Sequence, residues 1–226
     1  MAVKQRAVGA QDKEERRTAI LDAVEKLYLK HPDRMASVAE VAVAAGLAKG
    51  TVYLYFPGKE EMLLALHERH VARFFAEMVA LLEGARAAGF DEVFKVTRDH
   101  FIRKPGYLPL TSRCFAMMDR EIPLDVAIEF KKRVGQLLAA AGGGLARHFP
   151  ISLPQGVTLL MHSYGLIVGL WQLVHPNERL GKAMNQPALR ALKLDYEREV
   201  EAALRALWSG ALLAAKAAAP QPRKTR

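Results

Sequence analysis

A glycine turn within residues 37–66 constrains this chain most, because it predicts two short helices that cross steeply. The segment reads SVAEVAVAAGLAKGTVYLYFPGKEEMLLAL. Ser37 is a suitable N-cap for the first helix, and Gly46 ends that helix because glycine takes the left-handed conformation without steric cost. A second helix that restarts just after the glycine must turn away from the first. The pattern therefore predicts a helix-turn-helix.

The second helix has an outward face that suits the DNA major groove. Val52 and Phe56 are four residues apart and should face the core. The other positions face outward or lie on the flanks: Lys49, Gly50, Thr51, Tyr53 and Leu54. Glycine permits close approach, leucine can contact a thymine methyl, and the polar groups can donate to phosphates or base edges. A compact three-helix domain that binds no DNA has the same pattern, so that alternative stays open here.

The start of the next helix offers a second feature for a polyanion. Pro57-Gly58 interrupts the chain, and Lys59 opens a long helix whose first backbone N–H groups and dipole favour a phosphate. Glu60 and Glu61 also suit a helix start, although they would lie beside the same phosphate.

The stretch GLAKGTVYLYFPGKEEML closely resembles the DNA-binding signature of the tetracycline-repressor family of bacterial regulators, and RRTAILDAVEKLY resembles that family's first helix. The resemblance covers residues 13–66. It implies homodimers that bind double-stranded operator DNA through this domain, and a larger helical domain that binds a small-molecule effector. By position it implies DNA contacts, mostly to phosphates, from Ser37, Lys49, Thr51, Tyr53 and Lys59. The chain departs from the family pattern at Ala48, often a serine, and at His31-Pro32-Asp33-Arg34, usually a loop with glycine.

Composition and charge agree with this interpretation but give it little additional support. The net charge of +9 and the pI near 9.7 favour a polyanionic partner. Residues 1–60, however, hold ten Lys and Arg against eight Asp and Glu, a balance of only +2. The single cysteine, Cys114, suits a reducing compartment, and the N-terminus lacks the apolar core of a signal peptide. We therefore expect a cytoplasmic protein.

The chain is predicted to be all-α, since no alternating strand pattern occurs. We expect a disordered basic arm over 1–12, a three-helix DNA-binding domain over 13–58, a ligand-binding and dimerisation domain over 59–216, and a disordered basic tail over 217–226. A long helix, shared by both domains, should run from Lys59 to about Ala87 and stop before Gly89. The first helix should span about 13–30, and the later ones about 91–103, 109–119, 124–147, 154–175 and 187–216.

Two late helices suggest assembly of a homodimer. Residues 157–174 are apolar nearly all round, and Gly165 and Gly169 lie on one face at a spacing that lets helices approach closely. Residues 188–214 carry a second apolar stripe. The resemblance implies a dimer interface made by the helices near 154–175 and 187–216, while packing within a monomer is the alternative. A membrane span is disfavoured, because His162 would be costly at its centre.

Candidate effector contacts are methionine, aromatic, histidine and cysteine side chains of the middle helices. They are His100, Phe101, Cys114, Met117, Met118, Phe130, Met161, His162 and Trp171. A lining of this kind suits a small apolar or aromatic molecule. Packing in the core is the alternative for each of them.

Other chemistry has little support in the sequence. His67 and His70 lack a third metal ligand, and a solvated helix face explains them better. Gly142-Gly143-Gly144 follows no strand and is expected to break a helix. Cys114 beside Arg113 could have a lowered pKa, but a packed thiol is the simpler interpretation. We expect no catalytic residues, no metal, no cofactor and no enzyme activity.

Together the residues and the resemblance predict a ligand-responsive transcriptional repressor that binds palindromic operator DNA as a homodimer. Two alternatives remain. A non-specific architectural DNA-binding protein would show no sequence preference. A helical small-molecule carrier or enzyme would bind no DNA.

Overall fold

The structure is a computed structural model that describes residues 2–32, 34–84, 86–176 and 178–218. Within these ranges every regular element is helical, which confirms the predicted all-α class. The α-helices are α1 Ala2–Lys30, α2 Val38–Ala45, α3 Lys49–Tyr53, α4 Lys59–Glu83, α5 Phe90–Thr97, α6 Tyr107–Met118, α7 Leu124–His148, α8 Leu153–Val174, α9 Glu178–Ala183 and α10 Tyr196–Ala218. A π-helical turn, Arg98–Ile102, follows α5, and a 3-10 helix, Pro187–Leu192, precedes α10.

The chain forms two compact units, and each is assembled from two separate stretches of sequence. The first unit comprises Met1–His70 and Pro105–Ile128, and the second comprises Val71–Lys104 and Glu129–Arg226. The sequence suggested a boundary at residue 58 instead. The helices α4 and α7 each contain residues of both units.

The helix α6 belongs to the first unit because its first turn is buried there. Tyr107 is fully buried and stacks on His67 of α4, with 5.7 Å between the ring centroids. Just before it, Gly106 has a φ of 72°, and a Cβ at this position would meet the Leu29 side chain of α1 at 2.8 Å. No local sequence pattern marks such long-range packing, so the sequence assigned α6 to the other domain.

The prediction that His67 and His70 lie on a solvated face is wrong. Their exposed fractions are only 3% and 5%. The His70 ring meets Tyr107 edge-on at 5.9 Å, and its Nε2 lies 3.4 Å from Glu25 Oε1 of α1. The two histidines are buried because α6 packs over this part of α4. In the described part of the chain, no cluster of three or more His, Cys, Asp or Glu could hold a metal ion.

An ion-pair network also ties α4 to α1 inside the first unit. The Arg69 guanidinium donates to Asp22 Oδ1 and to Glu25 Oε2, both at 2.6 Å, and to the Leu21 carbonyl at 3.1 Å. The side chains of Arg69 and Glu25 are 13% and 19% exposed, so solvent screens this pair weakly. The network fixes the third turn of the long helix against α1.

The first helix is longer than predicted. It begins at Ala2, so residues 2–12, which were expected to form a disordered arm, are helical. Alanine, lysine, glutamine and arginine are good helix formers, and they dominate this stretch, which contains no proline. At the other end α10 runs to Ala218, and most of the expected basic tail, residues 219–226, lies outside the described residues.

The helix α4 ends at Glu83, before the predicted stop near Gly89, because Gly84 follows it directly. The imidazole of His148, on α7, hydrogen-bonds backbone groups at and just beyond this end of α4. The Ala88 amide donates to His148 Nδ1 at 3.1 Å, and His148 Nε2 lies 2.8 Å from the Leu82 carbonyl. A neutral ring with its proton on Nε2 satisfies both groups.

Three consecutive glycines do not break α7, contrary to prediction. Gly142 packs directly on α8: an added Cβ would meet Val157 Cγ2 at 2.7 Å and the Val157 backbone nitrogen at 2.9 Å. A Cβ on Gly144 would meet Leu82 at 2.9 Å. The helix tolerates its glycines because they allow neighbouring helices to approach closely, and this contact offsets their low helix propensity.

Two other predicted helices are each divided into parts. The predicted helix 91–103 consists of α5 and the π-helical turn, in which the Arg103 amide donates to the Arg98 carbonyl at 2.8 Å. The predicted helix 187–216 starts only at Tyr196. Its start is set by Asp195, whose side chain accepts from the Arg198 amide at 3.0 Å as an N-cap does.

The helices α8 and α10 pack against each other in the second unit. The Trp208 indole N–H donates to Ser163 Oγ at 3.0 Å, and the Tyr196 hydroxyl donates to the Ile167 carbonyl at 2.9 Å. Of the described residues, only α8 is long and apolar enough to cross a membrane, and 28% of its apolar window is buried. A core or interface helix passes the same test. Large apolar side chains remain exposed on both helices: Met161, Leu173 and Leu213.

Candidate nucleic-acid interface

A capping box starts the first helix of the motif. The Ser37 backbone N–H and hydroxyl donate to Glu40 Oε2 at 2.8 and 2.9 Å, and the Glu40 amide donates back to Ser37 Oγ at 3.3 Å. Ser37 is thus the N-cap that the sequence predicted. Its hydroxyl is already engaged within the protein, so a DNA phosphate would have to share it.

Arg34, in the link between α1 and α2, adds an ion pair to this capping box. Its guanidinium donates to Glu40 Oε1 at 2.6 Å and to Oε2 at 3.1 Å. This guanidinium, followed by the Ser37 donors, lowers the pKa of Glu40 to about 2. Sequence reasoning missed the Arg34–Glu40 ion pair. The sequence did contain a signal for the role of Glu40, because the Ser-x-x-Glu spacing of Ser37 and Glu40 is the signature of a capping box.

Gly46 makes the turn between the two helices. Its φ of 67° and ψ of 30° place it in the left-handed region, and its N–H reaches the carbonyls of Ala42 and Val43. The Leu47 amide also donates to the Ala42 carbonyl, at 2.9 Å. This pair of bonds is the Schellman type of helix end, and it directs the chain into α3 as predicted.

The short helix α3 presents the outward face that the sequence predicted. Val52 and Phe56 are 0% and 4% exposed and anchor the helix and the turn that follows. On the other side Leu54 is 82% and Tyr53 47% exposed. Gly50 has nothing within 4 Å of an added Cβ, so its surface is open. An exposed leucine close to a glycine with open space around it is unusual on a surface that contacts only solvent, but it suits insertion into a DNA groove.

Lys49 and Tyr53 lie together at one side of this face. The Lys49 Nζ is 5.8 Å from the centre of the Tyr53 ring, one helical turn away. Thr51 is only partly exposed, beside them on the helix. No side chain caps α3, because its N-cap is Ala48. The cation and the phenol therefore form the polar edge of the candidate site.

The beginning of α4 is less open to a phosphate than the sequence suggested. Lys59 Nζ lies 3.7 Å from Glu60 Oε1, and the lysine side chain is 47% exposed. A Cβ at Gly58 would meet the carboxylates of Glu61 and Glu60 at 2.8 and 3.1 Å, so both acids lie over the helix start. A phosphate here would have to displace or share with these carboxylates.

An arginine that sequence reasoning missed supports the same region from α1. The Arg17 guanidinium lies 5.6 Å from the centre of the Phe56 ring, which directly precedes the turn into α4. Cation–π contact of this kind holds both groups in place. No pattern within the motif predicts it, because the two residues are distant in sequence.

The candidate effector residues do not all belong to one unit. Cys114, Met117 and Met118 are in the first unit, and the remaining six are in the second: His100, Phe101, Phe130, Met161, His162 and Trp171. Met161 and His162 are exposed on α8. Phe101 sits in an aromatic cluster, with its ring 4.1 Å from Phe74 and 5.6 Å from Tyr164. The sequence did not include Phe74 or Tyr164 among the candidate effector contacts.

Comparison with known families decides what the motif belongs to. Residues 20–66 match the family of bacterial regulatory proteins of the tetR type, and residues 68–215 match the family described as tetracyclin repressor-like, C-terminal domain. The second match alone covers more than half of the chain. The chain belongs to the tetracycline-repressor family. It is a transcriptional regulator with an N-terminal DNA-binding helix-turn-helix and a helical ligand-binding C-terminal domain, as predicted.

Similar proteins of known sequence and structure agree with this assignment. The chain is 29% identical over 82 residues to the fatty acid metabolism regulator protein of Bacillus subtilis (strain 168), a match over 36% of this chain and 42% of that protein. The chain thus spans less than half the length of this curated relative.

Two solved structures share the fold. A tetracycline-repressor-family regulator from Streptomyces coelicolor is 24% identical, with a TM-score of 0.54 over 87% of this chain and 99% of that one. The fatty acid degradation regulator FadR from Bacillus halodurans is 18% identical, with a TM-score of 0.56 over 86% of this chain and 95% of the other. These likenesses support the fold alone.

Proposed function

We propose that this regulator is a cytoplasmic homodimer that represses transcription by binding a palindromic operator and dissociates when a small apolar or aromatic effector binds. The observation that carries the proposal is the outward face of α3. Val52 is fully buried while the adjacent Tyr53 and Leu54 are exposed. The helix is therefore anchored from behind and free to enter a major groove in front.

Direct contacts with DNA are assigned to seven residues of this unit: Ser37, Lys49, Gly50, Thr51, Tyr53, Leu54 and Lys59. Leu54 and the open backbone at Gly50 approach the bases, and the polar side chains contact phosphates. Because α3 offers few hydrogen-bonding base readers, phosphate contacts and DNA shape should supply much of the affinity.

The dimer is assigned to the exposed faces of α8 and α10. Met161 and Leu173 are 57% and 73% exposed on α8, and Leu213 is 68% exposed on α10. Gly165 and Gly169 have open space where a Cβ would stand, which leaves room for a second helix. A two-fold dimer places two α3 helices for half-sites about 34 Å apart.

Effector release follows from the continuity of α4, whose residues belong to both units. An effector that binds better to a dimer with a different α3 separation shifts the population toward the form that does not match the operator. The candidate contacts in the second unit are apolar and aromatic, which suits such a ligand. The name of the Bacillus subtilis relative, a fatty acid metabolism regulator, is compatible with an apolar effector.

The test is fluorescence anisotropy with DNA from beside the protein's own gene, against scrambled DNA at the same salt concentration. We expect tight, sequence-selective binding that the double variant Tyr53→Ala, Lys59→Ala abolishes. The matched control is Lys26→Ala, which removes an exposed lysine of α1 outside the motif and should leave binding unchanged. Equal weak binding to both DNAs by the parent and the double variant would contradict the proposal.

A further inference from the structure

An arginine of α6 reaches the link between α1 and α2. Arg113 Nη2 donates to the Pro32 carbonyl at 3.1 Å. Both residues lie in the first unit, although they are far apart in the sequence. The neighbouring Cys114 is buried in the core, with its Sγ 3.7 Å from the Leu63 carbonyl of α4. The helix that carries Arg113 is therefore fixed on the same unit that presents α3.

The link that Arg113 touches leads directly into the capping box of α2. The His31 amide donates to the Leu27 carbonyl at 3.0 Å, and the Arg34 amide donates to the His31 carbonyl at 3.3 Å. Arg34 then holds Glu40, which holds Ser37. Arg113 thus holds the backbone at Pro32, two residues before the arginine that supports the capping box of α2.

The Arg113 contact matters because it fixes the backbone of the link at Pro32. Proline has no backbone N–H, so its carbonyl is its one hydrogen-bonding group. A charged guanidinium makes a stronger hydrogen bond to a carbonyl than a neutral donor does. Since α2 packs on α3, the orientation of the link affects how α3 meets the groove.

We infer that Arg113 is a positioning residue for DNA binding: it holds the link before α2 without touching DNA, and so keeps the helix-turn-helix in the orientation that binds the operator. The inference rests on the operator binding proposed above. It goes beyond that proposal by assigning a role in DNA affinity to a residue outside the predicted DNA-binding domain.

The test compares Arg113→Gln with Arg113→Lys in operator titrations over a range of salt concentrations. We expect Arg113→Gln to weaken binding about threefold to tenfold, the effect of losing one hydrogen bond of ordinary net strength at a solvent-exposed site. Arg113→Lys keeps a cationic donor and should restore most of the affinity. The matched control is Arg120→Gln, an exposed arginine that follows the same helix, and it should bind as the parent does.

The salt dependence separates positioning from direct contact. Loss of a phosphate contact, as in Lys59→Ala, lowers the slope of log affinity against log salt by about one unit. Arg113→Gln should leave the slope unchanged. A lowered slope would overturn the inference, because Arg113 would then contact DNA itself, and so would unchanged affinity.

A purely structural defect gives a different signature. Partial unfolding lowers the active fraction in a stoichiometric titration, whereas a positioning defect lowers the affinity of the active protein. If Arg113→Gln is unfolded at the assay temperature, Arg113→Lys decides: affinity close to that of the parent supports the role, and a tenfold loss overturns it. Because the parent is measured in the same assay, its failure to bind would instead refute operator binding.

Discussion

The Arg69 guanidinium donates to the Glu25 carboxylate at 2.6 Å and so joins the long helix α4 to α1 inside the first unit. Both side chains are less than one-fifth exposed. The contact holds α4 against α1 near the end of the stretch of α4 that belongs to the first unit.

We predict that Arg69→Ala lowers the free energy of unfolding by about 3 kcal/mol, because it removes the guanidinium that pairs with the partly buried Glu25 carboxylate. Urea unfolding followed by circular dichroism measures this change. Arg73→Ala, an exposed arginine on the same helix, serves as the control and should have little effect. The double variant Arg69→Ala, Glu25→Ala should lose less than the sum of the two single variants, and strict additivity would contradict the pairing.

For two adjacent glycines of α7, we predict opposite effects of substitution by alanine on the free energy of unfolding. Gly142→Ala places a Cβ against the Val157 backbone and should destabilise the protein by about 1–3 kcal/mol. Gly143→Ala meets only the Leu153 side chain, at an ordinary 3.6 Å, and should stabilise it by about 0.5–1 kcal/mol through helix propensity. Thermal unfolding of both variants checks the sign, and equal effects would refute the close α7–α8 contact.

The capping box predicts a dependence of stability on acid pH. The pKa of Glu40 is lowered from 4.5 to about 2, mainly by Arg34. A group with a depressed folded pKa stabilises the protein above its unfolded pKa, and this contribution is lost as the pH falls through the folded pKa. The free energy of unfolding should therefore decline as the pH falls from 4.5 to about 2. In Glu40→Gln the share of this decline that comes from Glu40 should be absent. In the control Glu77→Gln, which removes an exposed carboxylate of α4, the decline in the free energy of unfolding should be the same as in the parent.

The thiol of Cys114 should be inert in the folded protein. Burial raises its pKa to about 12, and the charge of Arg113 opposes this with a smaller effect. At pH 8 the folded protein should hence react slowly with iodoacetamide, while the protein unfolded in urea should react at the rate of a free thiol. Mass spectrometry follows the labelling, and equal rates in the two states would show that the thiol is accessible.

The missing cap of α3 predicts a stabilising substitution. Ala48→Ser supplies a side-chain oxygen for the free amides of the first turn and should raise the free energy of unfolding by about 0.5–1 kcal/mol. Ala44→Ser, at an exposed position within α2, tests whether serine helps by its type alone and should not stabilise. If both variants gave the same melting temperature, the gain could not be assigned to capping.

Local features were predictable from the sequence, and long-range packing was not. The Gly46 turn, the Ser37 cap and the buried Val52 each depend on residues within one or two helical turns. The exposure of His67 was predicted wrongly because the ring that covers it, Tyr107, comes from a distant helix. The expected break at Gly142 failed for the same reason, since its helix is held by contact with Val157.

The same limit applies to the candidate site. Lys49, Tyr53 and Leu54 lie where their positions on a helix predict, whereas the Arg113 contact joins segments that no local pattern relates. Assignment of the effector residues also depends on which helices come together, so neither periodicity nor composition separates a lining residue from a core residue.

The assembly of the first unit from two stretches of sequence has a consequence during protein synthesis. Its second stretch, Pro105–Ile128, is translated after a segment that belongs to the other unit. At about 5–20 residues per second, the N-terminal helices leave the ribosome seconds before the segment that buries His67 and His70 is made. The nascent helix-turn-helix must therefore wait with part of its core uncovered, and this interval is when a chaperone would bind it.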